Sequence, residues 1–350
     1  MHRRAFLTHV VRGLGVLIAL SVLGCERSTP APASAANAPP RIVVLSPAVG
    51  VTLIDLGLEP LIVGRHAWDV ALDPSLPSCG DVTGFDAETL LSVRPSHLVM
   101  EWGQRPLPDP VAGFASRGGW DVLDVSPLLT LADVERMTRD VAARFAPVIA
   151  AFDPVAGADV RTRADALDAS MREAWGDGAA HDSNLARAGR VLLLGSTDPP
   201  GILGPGSFHH QMLVAMGGTP ALTEGKPWTE ASPEDVLALA PDAILIFAPR
   251  PFDRAHPDAA SSPQPDWDTL AASLGALARL GVPAIEHRRV AVLDHPLAHM
   301  PCARLVDVAQ EMRSVLTGWA GADANRTGSV PPNDPENDVP SRLGSPLDGE

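Results

Sequence analysis

The sequence predicts an α/β protein of two Rossmann-like lobes, each built on a parallel sheet. A segment of the first half, FDAETLLSVRPSHLVMEW at residues 85–102, aligns with ASPEDVLALAPDAILIFA at residues 231–248. A second pair, RIVVLS from Arg41 and RVLLLG from Arg190, repeats in the same order and at nearly the same separation. Around both pairs, short apolar runs alternate with helical patterns, which is typical of parallel sheets covered by helices. The repeated order indicates two similar lobes with a cleft between them.

The first lobe is assigned to residues 41–150. Its strands are predicted where short apolar runs are bounded by turn residues, at 42–45, 61–63, 98–100 and 122–123. Its helices are predicted where apolar residues recur three and four positions apart, at 49–56, 87–93 and 131–145. Strand and helix thus alternate, as a parallel sheet with helical connections requires.

A helical stretch at 151–180, clearest from 160 to 175, is predicted to join the lobes as one long rigid helix. The second lobe, 181–319, repeats the alternation, with strands at 191–194, 244–247 and 290–293 and helices at 207–216, 233–239, 270–280 and 303–316. The segment from Ser232 to Asp235 is a favourable helix start, because a hydroxyl N-cap is followed by proline and two acids.

The first 25 residues have the pattern of an export signal. A basic start precedes an apolar run from Val10 to Leu23 that is too short to span a bilayer as a structural helix. The run ends in VLGC, a lipobox pattern in which Cys25 would be acylated, while RRAFL resembles a twin-arginine signal. The general and the twin-arginine export routes both stay open. Residues 26–40 are predicted to be a flexible tether and residues 320–350 a disordered tail.

Net charge and cysteine content disfavour two kinds of partner and one kind of metal site. The 350 residues carry a formal net charge of −15, which disfavours nucleic acid and anionic membrane surfaces as partners. The three cysteines, Cys25, Cys79 and Cys302, form no CxxC pair, so no zinc framework is predicted. Cys79 and Cys302 fall in opposite lobes, and whether they form a disulfide stays open.

Ligands of open parallel sheets bind beyond the carboxyl ends of the strands. In the first lobe, the candidate binding residues at these ends are Ser46, Pro47, Arg65, His66, Trp68 and Trp102. In the second lobe, the candidates are Ser207, Phe208, His209, Trp228, His299 and Arg304. Aromatic rings offer apolar contact area, and histidines offer hydrogen bonds or metal coordination. The loops are therefore predicted to hold a ligand in the cleft.

The same segments resemble the periplasmic-binding lipoproteins of ABC importers for cobalamin, ferric siderophores and haem. The resemblance covers about residues 41–318 and in the first lobe rests on RIVVLSPAVGVTLIDLGLEPLIVGRH, LPSCGD and DAETLLSVRPSHLVMEW. In the second lobe it rests on RVLLLG, GPGSFHHQMLVAMGG, WTEASPEDVLALAPDAILIF and RVAVLDHPLAHMPCARLVDV. The sequence departs from the family at Cys79, where the family has an apolar residue, and at Pro301 to Arg304, where it often has Gly-Pro-Arg.

This resemblance implies a class III substrate-binding protein, in which one long helix limits the movement of the lobes. It implies an exported protein, anchored by a lipid on Cys25 at the outer face of the cytoplasmic membrane, that passes its ligand to an ABC permease and its ATPase. In this family an acidic residue on each lobe meets permease arginines. We expect a monomer with no catalytic residues and no resident cofactor.

Side-chain chemistry favours a corrinoid such as cobalamin as the transported ligand. Trp68, Trp102 and Trp228 offer aromatic surface to a large, nearly neutral molecule. A ferric siderophore needs several arginines, and the candidate loops contain few, namely Arg65, Arg304, Arg105 and Arg250. The chain contains no tyrosine, which excludes tyrosine-ligated haem. A ferric siderophore, histidine-ligated haem and a metal ion remain alternative ligands.

Other functions are weighed against capture of a corrinoid. His66, His209 and His295 are weak candidates for a metal site, because histidines are common ligands of transition metals. Ser207, His209 and Asp198 could serve as nucleophile, base and orienting acid of a surface hydrolase. GPGSF, however, is not the GxSxG elbow of such enzymes, so we expect no enzyme. A sensory protein with the same lobes would bind no ligand tightly.

Overall fold

In the part of the chain that the structure describes, the first lobe is built on a four-stranded parallel sheet. The computed structural model describes residues 38–103, 105–175 and 185–327, so the predicted export signal with Cys25, the tether up to residue 37 and the tail from residue 328 lie outside the described residues. The strands of this lobe are β1 (Ile42–Leu45), β2 (Ile62–Gly64), β3 (Gly80–Asp81), β4 (Gly84–Phe85), β5 (His97–Met100) and β6 (Asp121–Asp124). The sheet has the spatial order β2-β1-β5-β6, and β3 and β4 form a separate hairpin. The predicted strands are confirmed.

The helices of the first lobe are α1 (Pro47–Asp55), α2 (Ala87–Val93), α3 (Asp109–Gly118) and α4 (Leu131–Ala150). Helix α2 begins after Asp86, whose side chain accepts a hydrogen bond from the Thr89 backbone N–H. Helix α4 begins with a capping box between Thr130 and Asp133. Helix α3 was not predicted, because it contains two glycines and a proline, which weaken its helical pattern.

The predicted connecting helix is α5 (Pro154–Trp175), and it is paired with α4. The two helices run antiparallel: Arg139 of α4 lies 2.8 Å from Asp168 of α5, and the Trp175 indole donates to Glu135 at 3.1 Å. Both helices contribute side chains to the cores of both lobes. Their second-lobe side chains are Leu131, Val134, Met171 and Trp175, and their first-lobe side chains include Met137, Val141, Phe145, Val160 and Ala164. The connection is therefore a helical pair, which resists bending more than one helix would.

The second lobe is built on a larger, mixed sheet. Its strands are β7 (Arg190–Thr197), β8 (Pro200–Leu203), β9 (Thr219–Pro220), β10 (Trp228–Glu230), β11 (Ala243–Phe247) and β12 (Val290–Leu293). The spatial order is β10-β8-β7-β11-β12, with β9 beside β7. Strands β7, β11 and β12 are parallel, as predicted, whereas β8 and β10 form an antiparallel extension at one edge. Helices α6 (Phe208–Ala215), α7 (Pro233–Leu239), α8 (Trp267–Leu274), α9 (Pro283–Glu286) and α10 (Leu305–Thr327) complete the lobe.

The internal repeat is confirmed at the level of single residues. Helix α2 and strand β5 correspond to helix α7 and strand β11. Arg94 and Ala240, each followed by proline, end their helices with left-handed φ values of 45° and 44°. A left-handed residue closes a helix by satisfying its last carbonyl groups. The two lobes thus use the same turn to pass from helix to strand.

Several predicted boundaries differ from the structure, and the two largest differences are at the ends of helices in the second lobe. The helix predicted at 270–280 ends at Leu274, because Gly275 has a φ of 58°, and a short 3-10 helix follows. The helix predicted to end at 316 continues as α10 to Thr327, beyond the boundary of the predicted tail at residue 320.

A search of the described residues for a membrane-spanning helix finds none with the required length and hydropathy.

A second contact joins the lobes near the end of the chain. Leu297 and Cys302, between β12 and α10, are buried in the core of the first lobe. Beside them, Arg304 donates to the carboxylate of Asp55, at the end of α1, with an N–O distance of 2.8 Å. Cys302 and Cys79 are both free thiols, and burial raises the pKa of each to about 12. The packing of Leu297 and Cys302 and the ion pair between Arg304 and Asp55 therefore stabilise the contact between the two lobes.

Candidate functional site

Two cavities open between the lobes and share Leu128 and Leu129, which lie between β6 and α4. The first-lobe cavity has a volume of about 400 Å³ and the second-lobe cavity about 500 Å³. Both lie at the carboxyl ends of parallel strands, where open α/β sheets bind ligands. We call the two cavities together the inter-lobe cleft. Other cavities lie beside Phe152 and beside Arg304, away from these strand ends.

All four strands of the first sheet contribute to the first-lobe cavity. Ser46 and Pro47 follow β1, His66 follows β2, Glu101 and Trp102 follow β5, and Ser126 follows β6, and all six line the cavity. Ser46 is buried, and its hydroxyl donates to Glu101 Oε2 at 3.3 Å. Burial raises the pKa of Glu101, and the nearby Asp124 adds to the effect, whereas the Ser46 hydrogen bond opposes it. The cavity therefore contains a carboxylate that is fixed by a hydroxyl.

His66, in the lining of the first-lobe cavity, has a buried hydrogen-bond donor. The side chain is 1% exposed, and its Nδ1 accepts from the Trp68 backbone N–H at 3.1 Å. Burial lowers the pKa of His66, so the imidazole is neutral at pH 7. A neutral imidazole whose Nδ1 accepts must carry its proton on Nε2. That Nε2–H is buried without a hydrogen-bond partner among the described residues.

Trp102 lines the first-lobe cavity, but its ring is covered by two neighbouring side chains. Phe85 lies against one side with ring centroids 4.5 Å apart, and the Arg105 guanidinium lies 3.9 Å from the Trp102 ring centroid. The indole N–H donates to Pro106 O at 3.1 Å, and the residue is 9% exposed. Trp102 therefore offers a ligand little of the aromatic surface that the sequence predicts.

The second-lobe cavity is mainly apolar. Phe208, Leu203, Pro227, Trp228 and Leu129 line it. Trp228, in β10, is 50% exposed, and its ring lies against two glycines whose replacement by a larger residue would collide with it. Leu129 is 65% exposed at the point where the two cavities meet. Trp228 and Leu129 thus form an uncovered apolar surface inside the cleft, which is the usual lining of a ligand site.

Two neutral histidines lie at the base of the second-lobe cavity. His209 Nε2 is 2.7 Å from Ala298 O, and His299 Nε2 is 3.2 Å from Phe247 O. Because a carbonyl oxygen only accepts, each Nε2 must donate. Burial lowers the pKa of His209 to about 3, with the neighbouring His299 adding to the effect. The rings pack edge to face, 5.3 Å apart. Their hydrogen bonds connect α6, β11 and the segment before α10.

Four of the predicted residues lie outside the two cavity linings. Trp68 is 61% exposed, and Arg65 donates to the backbone carbonyls of His66, Ala67 and Pro74. Arg304, predicted to bind ligand, donates to Asp55 and Asp258 beside a different cavity, which His295 also lines. The guanidinium groups of Arg65 and Arg304 are therefore engaged within the protein. The structure instead brings nine predicted residues together in the cleft, namely Ser46, Pro47, His66, Trp102, Ser207, Phe208, His209, Trp228 and His299.

The described residues give little support to a metal site or to a hydrolase site. No group of three or more histidine, cysteine, aspartate or glutamate side chains is arranged for a metal ion within the described residues. His66, His209 and His295 line three different cavities. The Ser207 hydroxyl donates to Gly204 O and accepts from the His210 backbone N–H, so it caps α6 and does not face His209 as a nucleophile would.

Glu101, Leu128 and Leu129 are among the cleft residues that sequence reasoning missed. Glu101 was not selected because a carboxylate after a strand is usually solvated and carries no pattern that indicates a ligand site. Leu128 and Leu129 were not selected because leucines before a helix normally enter the core. For Leu129, the position directly before the Thr130 capping box is the signal that could have identified it, since it places this side chain at the surface where α4 begins. Leu128 is buried in the first-lobe core and lines both cavities from there.

No family model matches this chain. The vitamin B12-binding protein of Salmonella typhimurium is 25% identical over 214 residues, which are 60% of this chain and 73% of that protein. The haem-binding protein RhuT from Roseiflexus sp. RS-1 is 23% identical with a TM-score of 0.55, covering 81% of this chain and 100% of that one. The vitamin B12-binding protein BtuF of Vibrio cholerae is 15% identical with a TM-score of 0.54, covering 81% and 98%. This chain therefore shares its fold with these periplasmic vitamin B12-binding and haem-binding proteins.

Proposed function

We propose that this chain is the substrate-binding component of an ABC importer and captures a corrinoid such as cobalamin in the inter-lobe cleft. The observation that carries the proposal is the uncovered apolar surface of Leu129 and Trp228 on the second-lobe side, with the half-buried Phe208 in the same lining. The first-lobe side offers isolated polar groups instead. A large, nearly neutral ring system needs this combination, because its faces are apolar and its edges carry polar substituents.

The charges of the cleft support a neutral ligand over a ferric siderophore. Among the described residues that line the two cavities, Arg105 is the only arginine or lysine, and its guanidinium is stacked on Trp102. Arg65 and Arg304 are engaged elsewhere. A multiply anionic chelate would meet one available guanidinium and the carboxylate of Glu101. Its affinity would therefore be low.

His66 and His209 do not favour a haem ligand. The nitrogen of His66 that is not bonded to the backbone carries the proton and has no lone pair for iron. His209 is 2% exposed and is held by Ala298 O. Coordination by either would require its backbone hydrogen bond to break or its ring to turn. Tyrosine is absent from the sequence.

The import function includes export and tethering of the chain itself. We propose that Cys25 is acylated after signal cleavage, so that the lobes are held at the outer face of the cytoplasmic membrane. A permease and its ATPase would receive the ligand. The net charge of −15 favours docking on a basic permease surface. No covalent chemistry is assigned to the cleft, because the Ser207 hydroxyl acts as a helix cap.

Calorimetric titration of residues 26–350 with cyanocobalamin tests the proposal. A ferric hydroxamate, haemin and Zn²⁺ serve as competing candidates in parallel titrations. We expect one-to-one binding of cyanocobalamin and weaker or no binding of the others. If only the ferric hydroxamate or haemin binds, the chain is still an importer component, but its ligand is not a corrinoid. If none of the four compounds binds, a sensory protein is favoured instead.

A further inference from the structure

The first-lobe cavity contains a hydrogen-bond donor and an acceptor that are not bonded to each other. The donor is His66 Nε2–H, which is buried without a partner among the described residues. The acceptor is the Glu101 carboxylate, of which one oxygen already accepts from Ser46. A buried donor without a partner costs free energy, because it has lost its hydrogen bond to water. Such a group in a ligand cavity is therefore matched by a ligand that supplies the acceptor.

We infer that His66 and Glu101 recognise a primary carboxamide on the edge of the ligand, with its carbonyl accepting from His66 Nε2–H and its NH₂ donating to Glu101. This inference rests on the proposed capture of a corrinoid. Corrinoids carry primary carboxamides around the ring, whereas haem and most siderophores carry carboxylates, hydroxamates or catecholates. The pair thus supplies a reason why one class of flat metal chelate is selected over the others.

A carboxylate in place of the carboxamide would be rejected by two effects. It would have no N–H to donate to Glu101, and its negative charge would lie next to the Glu101 carboxylate inside a partly buried cavity. The nearest cationic group in the lining, Arg105, donates to Trp102 O and stacks on the indole ring. Asp81 and Arg65 also act electrostatically on His66, and burial outweighs both in lowering the pKa of His66. His66 therefore remains a neutral donor.

The alternative that His66 binds a metal ion is disfavoured by the same geometry. Binding through Nε2 would require the proton to leave that nitrogen, and Nδ1 would then have to carry it. A protonated Nδ1 would meet the Trp68 backbone N–H, now 3.1 Å away, with two donors and no acceptor. A neutral carboxamide carbonyl requires no such rearrangement.

The test compares cyanocobalamin with its three monocarboxylic acids, in which the b, d or e carboxamide is hydrolysed. Each is titrated calorimetrically into wild-type protein and into Glu101→Gln. Wild type should bind at least one acid about tenfold or more weakly than cyanocobalamin. Glu101→Gln should bind that acid to within about threefold of cyanocobalamin, because the repulsive charge is gone. Glu88→Gln, the same change outside the cavity, should keep the wild-type preference.

Each outcome of these titrations either supports or contradicts the carboxamide inference. If all three acids bind wild type as well as cyanocobalamin does, the carboxamide inference is wrong while corrinoid capture stands. If an acid binds weakly and Glu101→Gln does not recover it, the inference is also wrong. If cyanocobalamin itself does not bind, the proposed function fails and this inference fails with it. Should Glu101→Gln not fold, the wild-type comparison together with His66→Leu, which should weaken cyanocobalamin binding and keep the preference against acids, provides the same decision.

Discussion

Trp228 and Trp68 are both exposed tryptophans, but only Trp228 belongs to the cleft. Trp228 lines the second-lobe cavity, whereas Trp68 lies outside both cavity linings. We expect Trp228→Ala to weaken cyanocobalamin binding by about 1–3 kcal/mol, because the ring supplies uncovered aromatic surface. Trp68→Ala is the matched control and should leave the affinity nearly unchanged. Calorimetric titration of both variants gives the answer, and equal losses would remove Trp228 from the site.

His209 makes the stability of the second lobe depend on pH. Burial lowers the pKa of His209 to about 3, against 6.5 for an ordinary histidine. The unfolded chain therefore binds this proton more tightly than the folded protein. Stability from this residue is complete above pH 6.5 and is lost as the pH falls toward 3. Between pH 7 and pH 5 the loss from His209 alone is about 2 kcal/mol.

Replacement of His209 by phenylalanine should remove that part of the pH dependence. We expect His209→Phe to lose less stability than wild type between pH 7 and pH 5, although its stability at pH 7 is lower because Ala298 O loses its donor. Urea unfolding at the two pH values measures the difference. His287→Gln, at an exposed position, is the control. An unchanged pH dependence in His209→Phe would show that other groups cause the acid sensitivity.

For single residues, the sequence identified which side chains line the cleft better than it identified their orientation and their contacts. His66 and Trp102 were selected because they follow strands, and both line the cleft. The sequence could not reveal that Phe85 and Arg105 cover the Trp102 ring, because these contacts depend on loop geometry. Arg304 was selected for its charge, and its partner Asp55 is 249 positions away in the chain. Long-range pairs of this kind leave no local signal.

The elements show the same division between local and long-range information. Helices α2 and α7 were predicted with correct ends, because N-cap residues and the repeated proline mark their boundaries. Strands β8 and β10 were missed. One contains Pro-Gly and the other is Trp-Thr-Glu, so neither shows the alternation typical of a strand. They exist because they pair with β7 and with each other, which only the folded sheet provides.

The segment between β12 and α10 is the element whose loss should most affect the contact between the lobes. Asp55 has a side chain only 5% exposed, and Arg304 is its partner across the two lobes. Arg304→Met should lower the free energy of unfolding by about 3 kcal/mol, because it leaves a buried carboxylate without its cation. Asp258→Ala removes the other, largely exposed partner of Arg304 and should cost less than about 1 kcal/mol. Urea unfolding compares the two, and equal costs would contradict a role for Asp55.

For the whole molecule, two connections limit how far the lobes can move. The helical pair of α4 and α5 enters both cores, and the segment with Leu297 and Cys302 is buried in the first lobe. Closure on a ligand must therefore deform packed helices or expose buried side chains, both of which are costly. We expect a largely preformed cleft that closes slightly. The fold class was predictable because the repeat is visible in the sequence, whereas this second connection was not.

Hydrogen exchange with and without cyanocobalamin tests the central claim, that the ligand lies between the lobes in the two cavities. The account predicts slower exchange in both lobes at once. The protected segments should be the loops after β1, β2 and β5, the segment around Leu129, and the stretches around Phe208 and Trp228. The segments around Phe152 and Asp258, which line other cavities, should exchange at the same rate as before. Protection confined to one lobe, or centred on Asp258 and Arg304, would contradict binding in the inter-lobe cleft.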